Sequence, residues 1–142
     1  MVQAIALSLI LILFIPSKVL AQAEVQYPLG KVETRLYLGL TDSTGRAIPI
    51  KAWRAFVDTC IAKQFPDGFT VIDARGMYRA RSGRVISEPT KLLVILHDSS
   101  AEAIAGIRRI TTSYLKAYKQ ETVLRQDLQT GATIIELKPE DH

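Results

Sequence analysis

Few side chains in this sequence can carry chemistry, and their spacing limits what that chemistry is. The histidines are His97 and the terminal His142, and the single thiol is Cys60. Zinc takes three or four nitrogen and sulfur ligands, so no structural zinc set exists here. Asp42-Ser43-Thr44-Gly45 is too short for a calcium-binding EF-hand loop. Neither a Gly-rich phosphate loop nor a nucleophile elbow is present, and no cofactor is expected. His97 closes the most apolar internal run, Lys91–His97, just before Asp98 and Ser99. Functional groups often gather where a strand ends near a helix start, yet an imidazole there can equally cap a carbonyl or pair with Asp98.

Arg35 and Tyr37 stand two residues apart in an alternating segment, Thr34–Leu40, whose other positions are Leu36, Leu38 and Leu40. A strand places them together on the face away from the leucines. With His97 they can line a pocket for a small anionic or aromatic ligand, arginine holding an acid group and tyrosine donating a hydrogen bond. The plainer alternative is an internal ion pair of Arg35 with Asp73 or Glu121, beside a packed tyrosine. Arg75, Arg79, Arg81 and Arg84 form a second cluster around a turn at Ser82-Gly83. They suit an anionic surface such as phospholipid, polysaccharide or an acidic partner, or else a solvated hairpin whose charges protect an edge.

The elements that must position these residues follow from periodicity. Pro49 suits a helix start, and Ile50, Trp53, Phe56, Val57, Cys60 and Ile61 form one stripe at spacings of three and four. Cys60 lies in that stripe and reads as a packed apolar residue. Phe65-Pro66-Asp67-Gly68 stops the helix. A strand follows from Phe69 through Tyr78, with Gly76 as a bulge or close-packing point, and Arg84–Ser87 returns. Glu88-Pro89 is expected to interrupt this return before the strand Lys91–His97. A capping box at Ser99 and Glu102 opens a second helix bearing Ile104, Ile107, Thr111, Tyr114, Leu115 and Tyr118. Strands at 122–128 and 132–137 complete the chain.

The order β-α-β-β-α-β, with right-handed crossovers, predicts a ferredoxin-like α+β sandwich: two helices on one face of an antiparallel sheet, plus an extra C-terminal strand. Strands one and three are central. Leu92, Val94 and Leu96 facing the helices would leave Leu93, Ile95 and His97 beside Arg35 and Tyr37, although a run apolar on both faces is compatible with the opposite parity. Such an open face invites a homodimer, sheet against sheet, or cover from a chain terminus.

The N-terminus carries a different signal. Ala4–Ile15 is an unbroken apolar run closed by Pro16. As helix it rises about 18 Å, short of a bilayer core of roughly 30 Å. Small residues at Val19-Leu20-Ala21 and Ala21-Gln22-Ala23 suit a signal peptidase. Residues 1–21 therefore read as a cleaved secretory signal, 22–32 as a flexible arm, 33–137 as one α+β domain and 138–142 as a polar tail. Membrane contact is expected only through the signal, and the location is exported, periplasmic or extracellular. The net charge of +4 is weakly basic, and with export it points to no nucleic-acid partner. One cysteine gives no internal disulfide, so packing carries the stability.

Several segments together resemble a known family. They are Thr-Arg-Leu-Tyr-Leu-Gly at 34–39, Trp53, Phe-Pro-Asp-Gly-Phe-Thr-Val-Ile-Asp-Ala at 65–74, Glu-Pro-Thr-Lys at 88–91 and Gln-Glu-Thr-Val-Leu-Arg at 120–125. In order and spacing they resemble the domain of unknown function 3574, a family of small exported bacterial proteins, over residues 33 to 126. The resemblance implies an envelope or secreted location and assigns no activity or site residue. Some members have an aromatic where Leu38 and Tyr78 stand, and a serine at Thr90 and Thr122. With no reaction-defining motif, the expectation is a non-enzymatic binding or assembly module that uses the open sheet face. The alternative is a small cofactor-independent enzyme of the dimeric α+β barrel type, with its pocket at Arg35, Tyr37 and His97.

Overall fold

The computed structural model describes residues 32–79 and 82–133. The leader, the arm before Val32, Arg81 and the return strand expected beyond Thr133 lie outside those residues. Four strands form one antiparallel sheet: β1 (Val32–Gly39), β2 (Thr70–Arg79), β3 (Val85–His97) and β4 (Leu124–Gln129), in the order β2-β3-β1-β4. Helix α1 (Ile50–Phe56, a π segment Val57–Ile61 and a last turn Ala62–Gln64) and helix α2 (Ala101–Ala117) cross on one face. This is the ferredoxin-like α+β sandwich, with β1 and β3 central.

Register decides which side chains meet. Leu36 lies opposite Leu93, and Thr34 opposite Ile95. Leu36, Leu38, Leu93 and Ile95 are fully buried against the helices, with Trp53, Phe56, Ile61, Ile107, Ile110 and Tyr114 completing the core. Strand β3 therefore has the parity opposite to the one that groups His97 with Arg35. Its apolar pattern on both faces gave no way to choose, and pairing with β1 settles it.

Strand β3 also runs unbroken through Pro89. In a strand the N and C=O of one residue point to the same edge. The Pro89 carbonyl accepts from the Leu40 amide at 2.8 Å, so its missing N–H faces the β1 edge where β1 has already ended. No bond to β2 is lost, and the interruption expected at Glu88-Pro89 does not occur.

The helices depart from simple periodicity in two places. The π segment inserts about one extra residue into α1, which brings Ile61 into the core while Cys60 and Val57 stay half-buried and Ile50 is exposed. In α2 the N-cap is Ser100, whose hydroxyl accepts from the Ala103 amide at 3.2 Å. Asp98 in turn accepts from the Ser100 hydroxyl at 2.6 Å. The cap thus falls one residue after the expected Ser99, and the buried stripe is Ile107, Ile110 and Tyr114, with Ile104 outside it. The aromatic rings of Trp53, Phe56, Tyr114 and Tyr118 pack edge to face between the helices and the sheet.

Candidate functional site

The alternation of β1 separates the sequence candidates into two groups. Glu33, Arg35 and Tyr37 point to the open face of the sheet, whereas Thr34 and His97, which lies opposite Val32, are turned toward the helices. The pocket expected at Arg35, Tyr37 and His97 therefore does not form, because His97 is on the other side.

His97 is held in a polar chain at the end of the core. Its Nε2 lies 2.8 Å from the Thr34 hydroxyl, and its Nδ1 meets the Asp98 carbonyl. The Thr34 hydroxyl donates to Asp127 on β4 at 2.6 Å, and the Arg125 guanidinium binds the same oxygen at 3.0 Å. A hydroxyl has one proton to give. With that proton directed to Asp127, Nε2 of His97 is the donor to the Thr34 hydroxyl oxygen. Burial pushes the Asp127 carboxyl up, but the Thr34 and Arg125 hydrogen bonds and the nearby charges of Arg125 and His97 outweigh it, leaving the group below its ordinary value. Thr34 is fully buried and His97 nearly so. This chain ties β1, β3 and β4 together, with Thr34 and His97 inside and the Asp127 carboxylate at the exposed β4 edge.

Asp73 and Glu121 also fall outside any site with Arg35. Asp73 is on the helix-side parity of β2 and pairs with Lys91. Glu121 is exposed between α2 and β4. The partner of Arg35 is instead Glu33, two residues back on the same face, with Nε to Oε1 at 2.6 Å. That hydrogen bond makes the guanidinium hold its proton more firmly than usual.

Around this pair the open face is built from four strands. Leu92 and Val94 of β3 and Thr70 and Ile72 of β2 form a shallow apolar floor beside Glu33 and Arg35, enclosing a groove of about 420 Å³. Leu92 lies opposite Tyr37 and Val94 opposite Arg35. The Tyr37 hydroxyl reaches Gln126 of β4 at 3.4 Å. A second hollow, of about 310 Å³, lies between Pro49 and the end of α2 at Tyr118 and Lys119. Its acid, Asp42, is held to about 2 by hydrogen bonds from the Thr44 hydroxyl and the Arg46 amide. That carboxylate is committed to its own turn.

Glu88 belongs to the open face but was not singled out by sequence reasoning. It lies on β3 opposite Gly76, and its carboxylate folds over Gly39 of β1. A methyl group on Gly39 would sit 2.7 Å from Glu88 Oε1, and one on Gly76 would sit 2.8 Å from the Thr90 hydroxyl. The two glycines thus clear a seat for Glu88 and Thr90. Burial pushes the Glu88 carboxyl above its ordinary value, against a hydrogen bond with Thr41. Glycines in the interiors of two strands are the sequence signal for such a close approach. Gly76 gave that signal, and its close-packing reading is the one realised.

Of the arginine cluster, Arg75 and Arg79 share one face of the β2–β3 hairpin, and Arg84 stands at its turn. Among the described residues no group of three or more His, Cys, Asp or Glu converges as a metal site, and no helix is long and apolar enough to cross a membrane.

The described residues form an α+β sandwich whose sheet is open, not a barrel closed among those residues. The chain belongs to the family described as "Protein of unknown function (DUF3574)", which matches residues 33–133. Membership agrees with the exported location read from the leader. No curated protein matches the chain. Two solved structures share its fold. One is a phage SAM lyase in complex with S-methyl-5'-thioadenosine, 18% identical, with a TM-score of 0.57 over 82% of this chain and 98% of that one. The other is a phage SAM lyase in the apo state, 16% identical, with a TM-score of 0.51 over 77% of this chain and 94% of that one. Both are structures of an enzyme. They overturn the expectation of a purely non-enzymatic binding module, which rested on the lack of a recognisable motif, and they favour the enzymatic alternative.

Proposed function

We propose that this exported protein is a small enzyme that uses its own side chains, with its active site on the open face of the sheet. The substrate class is a small molecule with an amino-acid-like zwitterionic end and an apolar or heteroaromatic body. One observation carries this reading: the Glu33–Arg35 pair beside the Leu92, Val94 and Ile72 floor. A carboxylate next to a guanidinium is complementary to an ammonium next to a carboxylate, because each substrate charge meets its opposite. The floor accepts the body, and Tyr37 offers a hydrogen bond between them. Gly39 lies four residues from Arg35 on β1, about 13 Å along the strand. Glu88, seated over Gly39, is thus placed to move a proton at the far end of a substrate of that length. Its raised carboxyl suits proton transfer closer to neutral pH.

The apolar rim of the face is exposed at Ile72, Leu96 and Leu124. In this reading a second copy packs sheet to sheet against it and closes the groove, as in a dimeric α+β barrel. Cleavage after Ala21 or Ala23 then delivers the domain to the periplasm or the medium.

The test is turnover by the purified mature protein of a panel of amino-acid-bearing compounds, with S-adenosylmethionine first because the fold neighbours act on it. Products are followed by mass spectrometry. Turnover of a panel member, reduced at least a hundredfold by Arg35→Ala, is the expected result. Equal rates for wild type and variant, or no turnover of any member, would overturn the reading.

A further inference from the structure

We propose that the free end of the β2–β3 hairpin is a docking surface for an anionic lipid bilayer. The proposal stands apart from the enzymatic reading and rests on a different part of the molecule. Strand β1 ends at Gly39, opposite Thr90, while β2 and β3 remain paired out to Arg79 and Val85. Beyond Thr90 the hairpin has no neighbouring strand among the described residues. Its large apolar side chains stand in water there: Met77 is 69% exposed, Val85 55% and Tyr78 50%. Isolated exposed apolar residues need no explanation, but Met77 and Val85 share one face of the hairpin end and Tyr78 stands on the other beside Ile86, so the end is apolar on both sides.

Charge surrounds that patch with one sign. Arg75 and Arg79 flank Met77 on one face, Val85 lies opposite Arg79, and Arg84 precedes it at the turn. Among the described residues Arg75 donates only to the Ser87 hydroxyl, at 3.2 Å, and Arg79 only to the Gly83 carbonyl, at 3.2 Å. Among the described residues no carboxylate pairs with any of the three. Between Asp73 and Glu88 the sequence contains no acidic residue.

Guanidinium groups bind phosphates with two parallel hydrogen bonds. Apolar and tyrosine side chains beside them enter the boundary between headgroups and acyl chains. A bilayer surface with anionic headgroups satisfies both halves of the patch. A polysaccharide or an acidic protein face would take the arginines and leave Met77 and Val85 in water. A second copy of the hairpin would bring arginine against arginine.

The experiment is sedimentation of the mature protein with two kinds of vesicle at low salt: phosphatidylglycerol mixed with phosphatidylethanolamine, and phosphatidylcholine alone. Binding to the anionic vesicles, little to the neutral ones, and loss at high salt are expected. The double variant Arg75→Gln/Arg79→Gln should bind about 30-fold more weakly, since each arginine near such a surface contributes about fivefold. Met77→Ser/Val85→Ser should weaken binding too. The charge-matched control Lys51→Gln/Arg54→Gln on α1 should bind as wild type does, and circular dichroism of each variant should match the native spectrum. Equal binding to both vesicle types, wild-type binding by the arginine variant, or retention on an anionic polysaccharide without vesicle binding would each overturn the proposal.

Discussion

At the scale of single residues, two polar side chains do opposite things on the two faces of the sheet. On the helix side, Thr34 links His97 to Asp127 and is wholly buried. Thr34→Val keeps the shape but strands both partners, so it should cost about 1–3 kcal/mol of stability by urea unfolding. The pH dependence has a definite sign. The Asp127 carboxyl is depressed in the folded state, so its contribution is present above the ordinary aspartate range and is lost as pH falls through its depressed value. The gap between wild type and Thr34→Val should narrow in acid, and a constant gap would remove Asp127 from the account. On the open side, Glu88 has the reverse sign, since burial raises it. Gly39→Ala places a methyl where the Glu88 carboxylate now rests and should expel it into water. Carboxyl titration by NMR should then show Glu88 returning toward ordinary glutamate; an unchanged midpoint would mean that the seat over Gly39 does not set it.

At the scale of elements, register and edge direction matter more than propensity. Pro89 stands inside a 13-residue strand without disrupting it, because its nitrogen faces an edge already vacated by β1. Pro89→Ala should therefore change stability by no more than about 1 kcal/mol, through the entropy of the unfolded chain. Leu93→Ala, four residues on and fully buried, should cost about 2–5 kcal/mol. Similar losses for both variants would contradict the edge argument. The same considerations explain what the sequence made legible. The leucine alternation of β1, the glycine turns and the two helical stripes were enough for the βαββαβ order. Lys91–His97 is apolar on both faces, so its parity was not legible, and the supposed grouping of His97 with Arg35 fell with it. The π segment in α1 left no mark that apolar spacing alone could reveal. Arg35 and Tyr37 were legible as open-face residues because their own strand alternates cleanly. The partner of Arg35 was missed because Glu33 lay just outside the expected start of the strand.

For the whole molecule, the two faces of the sheet have different roles. One face and both helices share a core in which no buried side-chain polar atom of the described residues lacks a partner. The other is half apolar, half charged, and without cover from the described elements. At the free end of the same sheet, the hairpin carries arginines away from the body. The proposed site at the sheet face and the proposed contact at the hairpin tip share no residue, so changes at one should leave the other intact.

The most direct measurement of the central claim is a map of backbone amide shifts as S-adenosylmethionine is added to the labelled mature protein. A ligand on the open face should perturb Arg35, Tyr37, Leu92 and Val94 most, with shifts extending toward Gly39 and Glu88 and with Thr34, His97 and Asp127 unmoved. Perturbations confined to the helix side or to the hollow between Pro49 and Tyr118, or none at saturating ligand, would contradict it.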